Sequence, residues 1–187
     1  GIFFAFLLGY MLFAPKNNLM IAVLIGSFLI MLLGLFDDMT KSETPMPNKY
    51  KVLVQLIVAA IVVFYGGLEL TKVTLFGITI KFTSVPLLPE LISMLIIVAT
   101  INAINLIDGL DGLCAGISSI YFLTIAIIGF ILNKFGGLDI ILSLIMLGST
   151  LGYLVHNFPP ARIYQGDAGS TFLGFMISVI FLLGFKA

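Results

Sequence analysis

Seven apolar runs, separated by short polar segments, account for most of this sequence. A membrane-spanning helix needs about 20 mostly apolar residues, and about 17 are tolerated. Helices are favoured because lipid offers the backbone no hydrogen-bond partners, and a transmembrane β-barrel would instead alternate apolar and polar residues. The runs therefore predict seven helices, of which the first looks truncated: Gly1–Ala14, Asn18–Phe36, Val52–Tyr65, Leu88–Leu106, Leu113–Leu132, Ile140–His156 and Ser170–Phe185.

The composition agrees with a membrane protein. Hydrophobic residues make up 60% and charged residues 10% of the chain, whereas soluble domains carry about 25% charged residues. The formal net charge is zero, and no basic tail suggests a nucleic-acid partner. A single cysteine, Cys114, and a single histidine, His156, exclude an internal disulfide framework and a Cys-based or His-rich metal site.

The expected fold is all-α, a single partial membrane-embedded domain over residues 1–187 with a small β-hairpin. The hairpin is predicted at Lys72–Thr83, where apolar and polar residues alternate around Gly77. The chain begins inside an apolar run at Gly1 without signal-peptide features. We therefore expect it to be part of a longer protein.

Helix parity places most of the acidic residues on one membrane face. Consecutive helices run in opposite directions, so three loops share a face: Asp37–Lys51, Asn105–Gly112 and Asn157–Gly169. The predicted hairpin lies on the other face. The distribution of Lys and Arg does not decide which face is cytoplasmic. Six of the nine acidic residues belong to the first face: Asp37, Asp38, Glu43, Asp108, Asp111 and Asp167.

The first acidic motif on this face is the pair Asp37-Asp38 at the end of a predicted helix. Adjacent carboxylates are costly at a membrane helix end unless a metal or another cation compensates them. Mg²⁺ takes oxygen ligands and commonly keeps positions for water and phosphate. The alternative is a solvated helix C-terminus, although acidic groups oppose the helix dipole there.

The second motif places four polar residues at intervals of three: Asn102, Asn105, Asp108 and Asp111. In a helix these side chains would share one face. A glycine follows each of the two aspartates, and glycine allows a ligand or another backbone to approach closely. The alternative is a polar turn between two helices.

The third motif, Gly166-Asp167-Ala-Gly-Ser170, leads into the last predicted helix. A turn at a helix N-terminus presents backbone amides suited to phosphate, and Asp167 can hold a metal. The alternative is an ordinary Asp or Ser helix cap.

Lys51 and Gln55 share a helix face beside the first motif, although Lys51 could equally be an interfacial lysine that reaches toward water. Together these groups indicate Mg²⁺-assisted phosphoryl transfer.

The three motifs, in the same order, resemble those of the polyprenyl-phosphate N-acetylhexosamine-1-phosphate transferases, and the resemblance covers the whole chain. It implies Mg²⁺-dependent transfer (Mn²⁺ is also possible) of a sugar-1-phosphate from a UDP-sugar to undecaprenyl phosphate in the lipid bilayer. UMP would be released. UDP-sugars are cytosolic, so the acidic face would lie in the cytoplasm of a multi-pass cell-membrane protein, and the hairpin outside.

The resemblance also implies catalytic roles. Asp37 and Asp38 match the acidic pair near the lipid phosphate, with Asp37 as a candidate base. Asp108 and Asp111 match positions of the nucleotide-sugar site. Lys51 matches a basic position after the first acidic loop. The expected mechanism is direct attack by the lipid phosphate, and a covalent phospho-aspartate is the competing mechanism.

Further positions match binding residues of the same family. Asp167 matches the Mg²⁺ ligand, and Asn105 belongs to the nucleotide-sugar site. Asn157 and Tyr164 resemble positions of the uracil pocket. Gly166 is expected to bind substrate through the third motif.

Other functions remain open at this stage. The segment Phe172–Phe175 is more like the N-acetylglucosamine branch of the family, and the alternative is the phospho-N-acetylmuramoyl-pentapeptide transferase of peptidoglycan synthesis. An alternative of a different class is a transporter, which would hold its acidic residues near the membrane midplane. A homodimer is also open. The family's His-containing loop would follow Ala187, and a further helix would precede Gly1.

Overall fold

The computed structural model describes residues 1–41, 46–75, 77–132 and 136–186, without the side chains of Leu75 and Lys186. Within these residues, the chain forms seven α-helices and one two-stranded sheet, β1 (Lys72–Leu75) and β2 (Ile78–Lys81). The helix α3 continues as a π-helix over Ile61–Tyr65. The helices are α1 (Ile2–Phe13), α2 (Asn18–Thr40), α3 (Asn48–Ala60), α4 (Leu88–Ile107), α5 (Leu113–Ile131), α6 (Leu138–Asn157) and α7 (Gly166–Lys186).

The predicted membrane bundle is confirmed. Six helices, counted among the described residues, are long and apolar enough to cross a membrane, and α1 is a shorter apolar helix. Large apolar side chains are exposed on the outer faces of the bundle, as expected for a surface that contacts lipid. The chain is therefore a multi-pass membrane protein.

Two predicted helix ends beside the acidic motifs are wrong by four residues, the end of α2 and the start of α7. α2 continues to Thr40, so the Asp37-Asp38 pair lies within its last turns, and α7 already begins at Gly166, so Asp167 lies in its first turn. α4 ends at Ile107. The three-residue register therefore ends with Asn105 and does not include Asp108 or Asp111. Glu43, counted with the acidic residues of this face, lies outside the described residues.

The predicted hairpin is confirmed as an antiparallel pair. Its register joins Lys72 to Lys81 and Thr74 to Thr79, and the two threonine hydroxyls are 2.9 Å apart. Gly77 has a φ of +81° in the turn, a conformation that glycine adopts without strain. The membrane face on which the hairpin lies stays a prediction.

α7 is the central helix of the bundle. Of its apolar stretch, 72% is buried inside the protein, against 22–44% for the other five candidate spans. It packs mainly against α2 and α4, while α5 packs on α6 and α1 on α6.

Two glycines make close packing possible. A Cβ on Gly34 of α2 would come closer than 3.0 Å to the backbone of Ala168, and one on Gly174 would come within 2.7 Å of the Ile101 Cα. Small residues commonly let membrane helices approach in this way.

The three acidic motifs gather at one end of the bundle, which we call the site end. There the end of α2 meets the start of α7, where Asp38 contacts Asp167, and the end of α6 meets the start of α5, where Asn157 contacts Gly112. Asp139 lies in the first turn of α6, about 27 Å from Asn157 along that helix, given a rise of about 1.5 Å per residue. This is the arrangement that helix parity predicts.

We expect Gly34→Ala to destabilise the protein, because the added methyl group must push α2 away from the backbone of α7. Overpacking of this kind costs about 1–3 kcal/mol. The measurement is the thermal midpoint of the purified protein in detergent. Gly116→Ala is the matched control, since no atom lies within 4 Å of its added Cβ and alanine favours helix. Equal midpoints for the two variants would contradict the close contact of α2 with α7.

Candidate active site

A side chain from α2 holds the first turn of α7. The Asp38 carboxylate accepts two hydrogen bonds, from the Asp167 N–H to Oδ1 at 2.9 Å and from the Ala168 N–H to Oδ2 at 3.1 Å. Gly166 has a φ of +62°, and a Cβ there would come closer than 3.0 Å to Asp38. The prediction that these first-turn amides are free for phosphate is therefore wrong, because Asp38 already occupies them.

The Asp167 side chain is held from two further directions. Its Oδ1 accepts a hydrogen bond from Asn105 Nδ2 at 3.1 Å, and the same amide group donates to Ser170 Oγ at 2.8 Å. Its Oδ2 accepts from Lys41 Nζ at 3.2 Å. This hydrogen bond raises the pKa of Lys41 above its ordinary value, so Lys41 stays protonated. Asp167 is thus fixed in orientation, yet its side chain remains 20% exposed.

Asp37 lies deeper than Asp38 and is almost completely buried. Its Oδ2 forms an ion pair with Lys51, while its Oδ1 is buried without a hydrogen-bond partner among the described residues. Lys51 Nζ also lies 3.9 Å from Asp167 Oδ2. The lysine therefore stands between two carboxylates, and one buried carboxylate oxygen is left uncompensated.

An amide pair supports this cluster from the membrane interior. Asn102 Nδ2 donates to Gln55 Oε1 at 2.7 Å, and the reverse contact from Gln55 Nε2 is 3.5 Å. Gln55 lies one helical turn after Lys51, and Asn102 one turn before Asn105. Asn102 and Asn105 thus belong to the predicted register, but Asn102 joins α4 to α3 whereas Asn105 joins α4 to α7.

Asp111 and Asn157 connect two loops at the site end. Asp111 Oδ2 accepts from the Ala161 N–H at 3.0 Å. Asn157 Oδ1 accepts from the Gly112 N–H at 3.0 Å, and its Nδ2 donates to the Ile163 carbonyl at 2.9 Å. These bonds tie the α4–α5 turn to the loop that precedes α7. Both ends of the Asn157 amide are already in use, so this side chain shapes the pocket rather than offering a free group to a ligand.

A polar cavity of about 240 Å³ opens among these elements. Pockets for drug-sized ligands measure about 300–1,000 Å³, so this cavity suits a pyrophosphate better than a whole nucleotide sugar. The Tyr164 side chain borders it and is 76% exposed, as a ring available for stacking would be. The lining residues are Lys41, Asp108, Gly109, Leu110, Asp111, Asn157, Tyr164, Gln165, Gly166 and Asp167.

Three residues of this region were not among the predicted site residues. Lys41 forms an ion pair with Asp167. The sequence does not show this contact, because it depends on the packing of the end of α2 against the start of α7. Ser170 lies one turn after Asp167 and receives the Asn105 amide. Gln165 lines the cavity, and no sequence pattern distinguished it from a loop residue.

Negative charge exceeds positive charge in the cluster. Among the described residues, five carboxylates gather there, against two ammonium groups, Lys41 and Lys51. The carboxylates are those of Asp37, Asp38, Asp108, Asp111 and Asp167. Burial raises the pKa of Asp108, and the neighbouring carboxylates add to the rise. Like charges this close disfavour one another unless a cation or a proton intervenes.

The residues present fit a magnesium ion. Across the described parts of the chain, no three His, Cys, Asp or Glu side chains form a metal cluster by themselves. Mg²⁺, however, is usually held by one or two carboxylates together with substrate phosphates and water. The Asp167 carboxylate, the side-chain carbonyl oxygen of Asn105 and Asp37 Oδ1, which has no hydrogen-bond partner among the described residues, are oxygen ligands of this kind.

We expect Asp108→Asn to stabilise the protein at neutral pH and to do so less in acid. The pKa of Asp108 is raised in the folded state above its unfolded value of about 3.9. At a pH above the folded-state pKa, ionisation of Asp108 therefore destabilises the folded protein. At a pH below the unfolded-state pKa, the carboxyl group is protonated in both states and the destabilisation disappears. The measurement is the difference in thermal midpoint between variant and wild type as a function of pH. A difference that does not change with pH would contradict this assignment.

Comparison with known proteins gives matches that cover this site. The Glycosyl transferase family 4 model matches residues 20–185. A probable undecaprenyl-phosphate N-acetylglucosaminyl 1-phosphate transferase of Bacillus subtilis (strain 168) is 42% identical over 174 residues, which is 88% of this chain and 44% of the relative. A phospho-N-acetylmuramoyl-pentapeptide-transferase of Halalkalibacterium halodurans is 37% identical over 161 residues, 81% of this chain and 47% of the relative.

A third relative is the decaprenyl-phosphate N-acetylglucosaminephosphotransferase of Mycolicibacterium smegmatis, which is 33% identical over 164 residues, 83% of this chain and 39% of the relative. The chain spans less than half the length of each of these three relatives. The matched region contains all three acidic motifs and the helices that bring them together. The chain therefore belongs to Glycosyl transferase family 4, as the resemblance of its motifs predicts.

Proposed function

We propose that the intact protein transfers a sugar-1-phosphate from a UDP-sugar to undecaprenyl phosphate in the membrane and releases UMP. The observation that carries this proposal is the fixed Asp167 carboxylate at the start of α7, which borders a polar cavity at one end of a membrane bundle. Such a position allows a water-soluble donor and a lipid-borne acceptor to meet. A transporter would need its carboxylates near the midplane, whereas these lie at the helix ends.

The proposed donor site is the cavity beside Asp167. Its volume suits the pyrophosphate, with Lys41 and Lys51 close enough to offset phosphate charge. Tyr164 would stack on the uracil ring, which lies beside the pyrophosphate in a UDP-sugar. Asp108 and Asp111 also line this cavity, where Asp108 would accept hydrogen bonds from the donor.

Asp167, Asn105 and Asp37 are the residues that would hold Mg²⁺. When bound, the ion would neutralise the negative charge that develops on the pyrophosphate as the bond to UMP breaks. The chain's own contribution is to keep these oxygen atoms in place. Asn105 orients Asp167 through its amide, and Lys51 holds Asp37 in its buried position.

We propose a direct transfer. An oxygen of the lipid phosphate attacks the phosphorus bonded to the sugar, a new P–O bond forms, and the P–O bond to UMP breaks with its electrons leaving on UMP. Two contacts support this over a phospho-aspartate. Asp37 is only 2% exposed and paired with Lys51, and both oxygens of Asp38 accept backbone hydrogen bonds. The burial of Asp37 leaves it little access to the donor phosphorus, and the oxygens of Asp38 are both occupied.

The general-base role of Asp37 is then a modest one. A phosphate monoester has a second pKa of about 6, so much of the lipid phosphate is already a dianion at neutral pH. We propose that Asp37 acts mainly by holding Lys51 and the cation beside the reacting phosphates, since a buried, ion-paired carboxylate has little access to a substrate proton.

N-acetylglucosamine-1-phosphate is the group we propose to be transferred, on the cytoplasmic face where UDP-sugars occur. The relative from Bacillus subtilis, which is named for this sugar, supports it. The muramoyl-pentapeptide phosphate is the second candidate, because the relative from Halalkalibacterium halodurans is named for that group. Incubation of the intact protein with polyprenyl phosphate and each radiolabelled UDP-sugar, with and without Mg²⁺, discriminates between them.

We expect Asp167→Asn in the intact protein to lower turnover by roughly 100-fold or more, the usual effect of removing a group that stabilises transition-state charge. The measurement is formation of radiolabelled lipid-linked sugar from UDP-N-acetylglucosamine. Glu69→Gln is the control, since Glu69 lies between the π-helical segment and β1, away from the site end. Near-normal turnover of Asp167→Asn with unchanged Mg²⁺ dependence would refute the proposed metal role.

We expect Tyr164→Ala to raise the KM for the UDP-sugar roughly tenfold while kcat falls less, because stacking of a base on an aromatic ring contributes about 1–3 kcal/mol. The ring is mostly exposed, so stability should change little. Steady-state kinetics at varied donor concentration measure the effect. An unchanged KM would place the uracil elsewhere.

A further inference from the structure

The carboxylate of Asp38 lies between two helices that are far apart in the sequence. It belongs to the last turn of α2, yet both of its oxygens accept hydrogen bonds from α7, at the N–H groups of Asp167 and Ala168. Gly166 closes against it with no room for a side chain. The carboxylate is thus enclosed by the start of α7.

α7 has no suitable cap in its own sequence. Helices usually begin after Ser, Thr, Asp or Asn, whose side chains accept hydrogen bonds from the first free amides. Here the residues before Asp167 are Gln165 and Gly166. Glycine has no side chain, and the Gln165 side-chain oxygen has no hydrogen-bond partner among the described residues. Asp38 supplies the capping oxygen from another helix, and its negative charge also suits the positive end of the helix dipole.

We infer that Asp38 is a positioning residue, which caps α7 and so fixes the backbone of Asp167, the proposed metal ligand. Asn105 and Lys41 hold the Asp167 side chain, whereas Asp38 holds the main chain from which that side chain projects. The two kinds of contact together leave Asp167 little freedom to turn. This inference rests on the proposed function for its link to turnover, but the cap itself does not.

The packing of α2 on α7 limits what loss of Asp38 would do. Gly34, one turn earlier on α2, brings the two backbones into close contact at Ala168. That contact remains in an Asp38 variant, so the helices should stay together. The change should be confined to the first turn of α7, where two amides lose their acceptor.

Asp38→Asn and Asp38→Ala in the intact protein separate capping from chemistry. Both substitutions remove the same negative charge, but asparagine keeps one acceptor oxygen and caps helices about as well as aspartate. A cap therefore predicts graded behaviour, with Asn, which keeps one of the two acceptor oxygens, between wild type and Ala. A base or a metal ligand predicts that both variants fail equally. Thr40→Ala is the matched control, because Thr40 ends the same helix and its hydroxyl donates to the Phe36 and Asp37 carbonyls of that helix.

Three measurements read the series. Hydrogen exchange of a peptide that covers the start of α7 should be faster in Asp38→Ala than in Asp38→Asn, and unchanged in Thr40→Ala. Mn²⁺ affinity, measured by electron paramagnetic resonance, should be roughly 3- to 30-fold weaker in Ala than in Asn, the range that loss of a cap gives. kcat should follow the same order with little change in the donor KM.

Equal Mn²⁺ affinity and equal loss of turnover in the Asn and Ala variants, with exchange at wild-type rates, would overturn the positioning role. A wild-type protein that transfers no sugar-phosphate to polyprenyl phosphate would refute the proposed function alone. The exchange and Mn²⁺ measurements would then still decide whether Asp38 positions the start of α7.

Discussion

The contact between the end of α2 and the start of α7 is the one on which the site depends. Glycine at position 34 lets the two backbones touch, and Asp38 then reaches the first amides of α7. Without this approach, Asp167 would begin a helix with no cap and would lie away from Lys41. The contact between α2 and α7 therefore determines both the packing of the central helix and the positions of the polar groups at its end.

Charge compensation explains why the site lies at the end of the bundle. A carboxylate in the hydrocarbon core costs several kcal/mol, and five of them could not be held there. At the site end, Lys51 and Lys41 offset part of the charge, backbone amides offset the charge of Asp38, and an open cavity admits water. The negative charge that remains could be offset by a bound cation, which could in turn bind a phosphate. The burial that raises the pKa of Asp108 belongs to the same arrangement.

Sequence reasoning anticipated the helices, the hairpin and the gathering of the acidic motifs, because hydropathy and parity depend only on spacing along the chain. It misjudged what depends on contacts between helices. The amides of Asp167 and Ala168 looked free because their partner, Asp38, lies far away in the sequence. The regular spacing of the second motif suggested that its four polar residues share one helix face. However, α4 ends at Ile107, so Asp108 and Asp111 lie beyond the helix. No local pattern identifies Gln165 as part of the cavity wall.

Below the charged cluster, polar contacts continue into the bundle and stiffen it. Gln55 and Asn102 exchange hydrogen bonds between α3 and α4, one turn deeper than Lys51 and Asn105. Amides in this region find few other partners, since lipid offers none. A contact between two fixed helices therefore sets the rotation of both, and with it the directions in which Lys51 and Asn105 project. The geometry around Asp167 is determined in part by a pair of residues that need never touch a substrate.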